Sequence, residues 1–107
     1  MIQSLSYIGI QSPNAEKWLE FGPEVLGLEV APRGPDGAVR LRNDDAEYRI
    51  AIHPGEKDDL AYLGWAVAGA EALRDAITHF EKHGFEVHVG DKPLAALRAV
   101  AEVAWFT

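Results

Sequence analysis

Four histidines are the side chains of this sequence best suited to hold a metal or move a proton near neutral pH. His79 and His83 stand four apart, a spacing that can bring two imidazoles to one metal from one face of a helix. No carboxylate completes a zinc-protease pattern around them. Both flank the apolar stripe Leu73, Ile77 and Phe80, so the expectation is exposed residues near a helix C-terminus, where a cationic side chain is mildly favoured. His88 lies between Val87 and Val89 and faces away from the buried side of its strand. His53 shares strand parity with Ala51, so it either enters a concave sheet face or simply ends a strand beside Pro54. The acidic pairs Asp44-Asp45 and Asp58-Asp59 lack the alternating oxygen spacing of a calcium loop and read as solvated turns. Ser4, Ser6, Ser12 and Thr78 have no nucleophile-elbow context. Gly34 and Gly37 fall in a Pro-rich turn, not between a strand and a helix, which argues against a phosphate cradle.

The elements that must position these residues follow from periodicity and punctuation. Residues 5–10 form an apolar strand. Ser12 is placed as an N-cap with Pro13 at the first helical position, and Ala15, Trp18, Leu19 and Gly22 recur at helical spacing until Pro23 disturbs or ends the helix. Gly27 then turns the chain. Strands follow at 28–31, 38–42 and 48–52, separated by turn residues at 32–37 and 43–45. After the polar loop 53–59 the order begins again, with a strand at 60–68, an amphipathic helix at 70–83 stopped by Gly84, and a strand at 85–89. A short helical turn through Leu94, Leu97 and Arg98 leads to a last strand at 102–107. This is a repeat of about fifty residues. It gives an α+β fold of tandem βαβββ units, about 1–54 and 59–107, with the second lacking its last strand. Helices are expected on one side of antiparallel sheet, leaving a concavity on the other. Trp18, Phe21, Trp65, Phe80, Phe85 and Trp105 are expected to dominate the core, with Trp65 and Trp105 as alternative pocket lining.

Bulk composition narrows the function. The chain has 107 residues, no cysteine, and a formal net charge of −7 from 10 Lys+Arg and 17 Asp+Glu. One domain is expected at this length. The acidic balance argues against nucleic acid as a partner. The missing cysteines exclude thiolate metal sites and a cysteine nucleophile. The longest apolar stretch, 60–70, is too short to cross a bilayer. A cytoplasmic setting with no membrane partner is the expectation. Residues 102–107 read as a strand with nothing polar after them, which suggests a longer parent chain.

Several stretches together resemble a known family. They are Leu5-Ser6-Tyr7-Ile8-Gly9, Trp18 with Phe21, Leu26-Gly27-Leu28 and Tyr48-Arg49-Ile50-Ala51-Ile52. Gly55-Glu56-Lys57-Asp58-Asp59-Leu60-Ala61-Tyr62, Gly90-Asp91 and Trp105-Phe106-Thr107 extend the likeness over essentially the whole chain. The sequence resembles the vicinal oxygen chelate superfamily (the glyoxalase/bleomycin resistance/extradiol dioxygenase fold). Within it, the likeness is to the N-terminal domain of type I extradiol ring-cleavage dioxygenases acting on catechols such as dihydroxybiphenyl. The resemblance implies that Fe(II) belongs to a C-terminal domain, held there by two histidines and a glutamate, and that the present chain binds no cofactor. It places Tyr7, Tyr62 and about Ala51 at the positions that carry metal ligands elsewhere in the superfamily, so no metal ligands and no catalytic residues are expected. Tyr7, His53, Tyr62, Trp65 and Trp105 are the candidates for lining the concavity. The implied role is structural, with the protein's own catalytic domain and further copies of itself as partners. A stand-alone, metal-independent small-molecule binding protein of bleomycin-resistance type is the alternative. A metal-dependent glyoxalase-like enzyme is disfavoured by Tyr7 and Tyr62.

Overall fold

The computed structural model describes residues 2–107. Strand β1 (Ile2–Ser12) alternates Tyr7 and Gly9 with Ile8 and Ile10, so one of its faces is apolar and the other is not. It outlasts the expected 5–10 at both ends. Ser12 is buried as the last residue of β1, and its Oγ accepts the Asn14 N–H at 3.1 Å. The hydroxyl therefore closes the turn into the helix instead of capping the helix itself. The helical stretch comes in three windings: a 3-10 turn at Ala15–Lys17, α1 at Trp18–Phe21, and a π turn at Gly22–Leu26. Pro23 lacks an N–H and cannot continue α-helical bonding, so the backbone widens around it. The stretch ends at Gly27, whose φ of 69° lies in the left-handed region that glycine adopts without strain.

The helical return sets the direction of everything that follows. Strands β2 (Glu29–Ala31), β3 (Val39–Arg42) and β4 (Ile50–Pro54) form an antiparallel meander. β4 then lies parallel to β1, with Gly9 opposite Ala51 and Gln11 opposite His53. Strand β5 (Asp59–Val67) takes the other side of β1, giving a five-stranded sheet in the order β2-β3-β4-β1-β5. The sheet is thus not antiparallel throughout, as the repeat alone suggests. A helix between β1 and β2 sends β2 off in the direction of β1, and two antiparallel steps bring β4 back to it.

The core is aliphatic. Leu41 and Ile52 are fully buried and pack with Val39 and Ala15, and Trp18, Leu19, Leu28 and Ile50 close around them. This corrects the expectation that aromatic residues dominate the core: Phe21, Trp65, Phe85 and Trp105 are all exposed. Residues of β3 and β4 outcompete them because these strands lie inside the sheet and have one face under the helical stretch. Gly22 is what lets the helix come close. A Cβ there would lie 2.8 Å from both Leu41 methyl carbons.

Arg49 ties the strands together. Its guanidinium reaches both Asp44 carboxylate oxygens, with Nη2 to Oδ2 at 2.8 Å, and Nη1 donates to the Ser6 carbonyl of β1 at 2.9 Å. Its backbone N–H donates to the Leu41 carbonyl of β3.

Contacts divide the chain into two compact units, one at Leu5–Gly64 and one combining 2–4 with 65–107. In the second, α2 (Ala70–Lys82) buries Ala76 and half-buries Leu73, Ile77 and Phe80. The ring of Phe80 meets Phe85 and Phe106, with centroids 5.8 and 4.9 Å away. β6 (His88–Val89) and β7 (Ala104–Trp105) are shorter than the 85–89 and 102–107 expected, because they pair with each other over two residues only. Between them α3 (Lys92–Arg98) is opened by Asp91, whose Oδ1 accepts the Leu94 N–H at 3.0 Å. Among the described residues no helix is long and apolar enough to cross a membrane.

The bidentate bonds from Arg49 hold the Asp44 carboxyl below its ordinary value of 3.8. A lowered folded pKa contributes stability above the unfolded value and loses it as the pH falls through the folded value. Denaturant unfolding of D44N should therefore show lower stability than the parent at pH 7. The gap should close as the pH drops below about 4.

Candidate functional site

The sheet face opposite the aliphatic core carries the polar chemistry. Alternation puts Tyr7, Gly9 and Gln11 of β1 on it, and cross-strand register adds Ala51 and His53 of β4 and Arg40 of β3. Tyr62 and Gly64 bring β5 to the same place, because each tyrosine lies over the other strand's glycine. A Cβ on Gly9 would fall into the Tyr62 ring, and a Cβ on Gly64 into the Tyr7 ring. The two phenol rings meet edge to face, 6.0 Å between centroids at 79°. Tyr48 adds a third ring 5.5 Å from Tyr7, and the Arg40 guanidinium lies 4.4 Å above the Tyr48 centroid. Tyr7, Tyr48 and Arg40 are all under 10% exposed (9, 5 and 7%), so the floor of this face is filled by side chains.

His53 organises the rim. Its Nε2 lies 2.7 Å from the Tyr62 hydroxyl and its Nδ1 3.2 Å from Asp36 Oδ2. A carboxylate only accepts, so the Asp36 oxygen beside Nδ1 favours a proton on that nitrogen, while Nε2 shares a hydrogen bond with the Tyr62 hydroxyl. Asp36 is itself held by the turn, since its Oδ1 accepts the Ala38 N–H at 3.1 Å. Asp36, His53 and Tyr62 thus form a line of polar contacts running from a turn through β4 to β5. Gln11 completes the rim by accepting the Lys57 N–H at 3.2 Å, and a Cβ on Gly55 would fall into the Gln11 side chain.

These contacts decide what Tyr7, Ala51 and Tyr62, the positions that the resemblance aligns with metal ligands, can do. Ala51 is buried and carries no donor atom. The Tyr62 oxygen is engaged by His53, and the Tyr7 ring is packed over Gly64. A ferrous ion held by a facial triad requires imidazole and carboxylate donors with open positions for substrate. The residues here do not fit that ion. Of the remaining candidates, Trp65 is 54% exposed, and alternation turns it to the opposite face of β5 from Tyr62. Trp105, in the other compact unit, stacks on His88 at 4.3 Å and 26°. His79 is exposed on α2, His83 is exposed at its C-cap, and His88 is exposed on β6. No group of three or more metal-binding side chains occurs among the described residues.

Asp36, Arg40 and Tyr48 are the members that sequence reasoning misses. Asp36 reaches His53 only because a turn folds back on the sheet, and no local spacing signals that. One signal was available. Tyr7-Ile8-Gly9 and Tyr62-Leu63-Gly64 occupy equivalent places in the first strand of each repeat, and an aromatic two residues from a glycine invites reciprocal packing between neighbouring strands.

Removing only the Tyr62 hydroxyl should be mild. Y62F is expected to cost about 0.5–1.5 kcal/mol in urea unfolding. Gly9→Ala and Gly64→Ala must push a ring out of place and should each cost about 1–3 kcal/mol.

Comparison with known proteins places this geometry. The family model for the dihydroxybiphenyl dioxygenase BphC D1 matches residues 5–55. A biphenyl-2,3-diol 1,2-dioxygenase of Sphingomonas paucimobilis is 31% identical over 103 residues, covering 96% of this chain and 34% of its own length. A 1,2-dihydroxynaphthalene dioxygenase of Pseudomonas putida is 35% identical over 96 residues, covering 90% of this chain and 32% of that protein. Among solved structures, BphC, a halotolerant catechol dioxygenase, superposes with a TM-score of 0.92 at 38% identity, over 99% of this chain and 36% of that one. The 2,2',3-trihydroxybiphenyl 1,2-dioxygenase of Sphingomonas wittichii strain RW1 gives 0.89 at 28% identity, over 100% and 37%. The chain thus spans about a third of the length of the curated relatives it matches. In fold and in sequence the chain is similar to the N-terminal domain of dihydroxybiphenyl-type extradiol dioxygenases.

Proposed function

We propose that this chain is the iron-free, non-catalytic first domain of an Fe(II)-dependent extradiol dioxygenase that opens catechols of the dihydroxybiphenyl class. Its part is to support a catalytic domain and to make contacts between copies. The observation that carries this reading is the fate of the three ligand positions. Tyr7 and Tyr62 serve as packing rings over Gly64 and Gly9, and Ala51 offers no donor. Iron in such an enzyme supplies chelation of the two catechol oxygens and activation of O₂. The side chains described here would hold none of it.

A supporting role agrees with the surface. β5 is an edge strand of the sheet, nine residues long, with Leu60 and Leu63 exposed at 53 and 44%. A long apolar edge left open is a template for association, so it supports burial against further polypeptide in the assembled protein. The threefold greater length of the relatives supports the same reading. A stand-alone binder of small aromatic molecules is less well supported, because Tyr7, Tyr48 and Arg40 fill the floor such a ligand would need.

The test is iron loading under anaerobic conditions, followed by desalting, metal analysis and an assay with biphenyl-2,3-diol in air. The expected outcome is no retained stoichiometric iron and no ring-cleavage product. Stoichiometric iron accompanied by turnover would overturn the proposal.

A further inference from the structure

The last turn of α2 carries a pair of ligands that the sheet face does not use. Helical spacing sets His79 and His83 on one side of the helix, with ring centroids 4.4 Å apart and planes inclined by 37°. His83 Nδ1 lies 2.8 Å from the His79 carbonyl oxygen. That oxygen only accepts, so Nδ1 carries the proton, and the neutral ring keeps the Nε2 lone pair for another partner. A histidine that donates one nitrogen to a backbone carbonyl has its tautomer and orientation fixed in the manner of metal-ligating histidines. The pair also ends a helix of thirteen residues, where unsatisfied carbonyls favour positive charge. Both rings are exposed, so an ion and its water ligands can reach them.

We infer that His79 and His83 form a two-histidine surface site for a divalent ion that prefers imidazole, Zn²⁺ or Cu²⁺, with water completing the coordination. The site shares no residue with the Tyr7, Ala51 and Tyr62 positions, so it stands whether or not the proposed function does. With two protein ligands it is an exchangeable site. Its structural effect is to clamp the last turn of α2 to the residue just before Gly84.

Zn²⁺ titration by calorimetry on the whole chain tests this, using H79Q, H83Q and, as a control, H88Q. All three positions are exposed, and far-ultraviolet circular dichroism confirms that each variant folds. One equivalent should bind the parent and H88Q alike, and binding should weaken by about tenfold or more in both H79Q and H83Q. Electron paramagnetic resonance with Cu²⁺ should show hyperfine coupling to two imidazole nitrogens in the parent and one in each single variant. The inference is overturned by absence of binding at millimolar Zn²⁺, by unchanged affinity in H79Q or H83Q, or by an equal loss in H88Q.

Discussion

The crossed packing of Tyr62 on Gly9 and Tyr7 on Gly64 is the contact on which the sheet face depends. Each ring occupies the space a neighbouring side chain would take, so the two first strands of the repeat lock by shape as well as by backbone pairing. An edge-to-face aromatic pair of this kind is worth about 0.5–1.5 kcal/mol beyond its buried area. Tyr48 and Arg40 build outward from Tyr7, and His53 and Asp36 build outward from Tyr62. The same contact removes the phenols from service as ligands. A ring held over glycine cannot turn to meet an ion without opening a void in the floor.

β1, β3 and β4 thus serve two environments with one set of strands. Ile50, Ile52, Val39 and Leu41 turn to the helical stretch and make an aliphatic core. Their alternates, Ala51, His53 and Arg40, turn the other way, and only there does the residue choice bear on metal chemistry. Arg49 stabilises both faces from the sheet's end by joining Asp44, Ser6 and Leu41. Substitution on the polar face therefore leaves the core untouched. This is how a repeat can keep its fold while serving support instead of catalysis, the role proposed for this chain.

Much of the architecture was legible because its signals are local. Gly27 and Gly84 stop helices, the stripe through Leu73, Ile77 and Phe80 gives α2, and alternation in Val39–Arg42 gives β3. The alignment of Tyr7, Tyr62 and about Ala51 with ligand positions rested on the family resemblance and not on the spacing of the residues themselves. What local pattern could not give was pairing across the fold. The parallel β1–β4 ladder depends on three intervening elements. Asp36 meets His53 only through a turn, and the core excludes Trp65 and Phe85 because interior strands bury aliphatic residues first. A glycine inside a strand, read singly, weakens it. Read as a pair with Tyr62 and Tyr7, Gly9 and Gly64 are where the strands close.

The α-proton chemical shifts of Gly9 and Gly64 test the central claim most directly, because protons held under an aromatic ring are strongly shielded. Both glycines should resonate well upfield of ordinary strand glycines. Y62L should release Gly9 and Y7L should release Gly64, and anaerobic Fe(II) should leave both signals sharp and unmoved. Ordinary shifts in the parent protein, or loss of these signals when Fe(II) is added, would contradict the account.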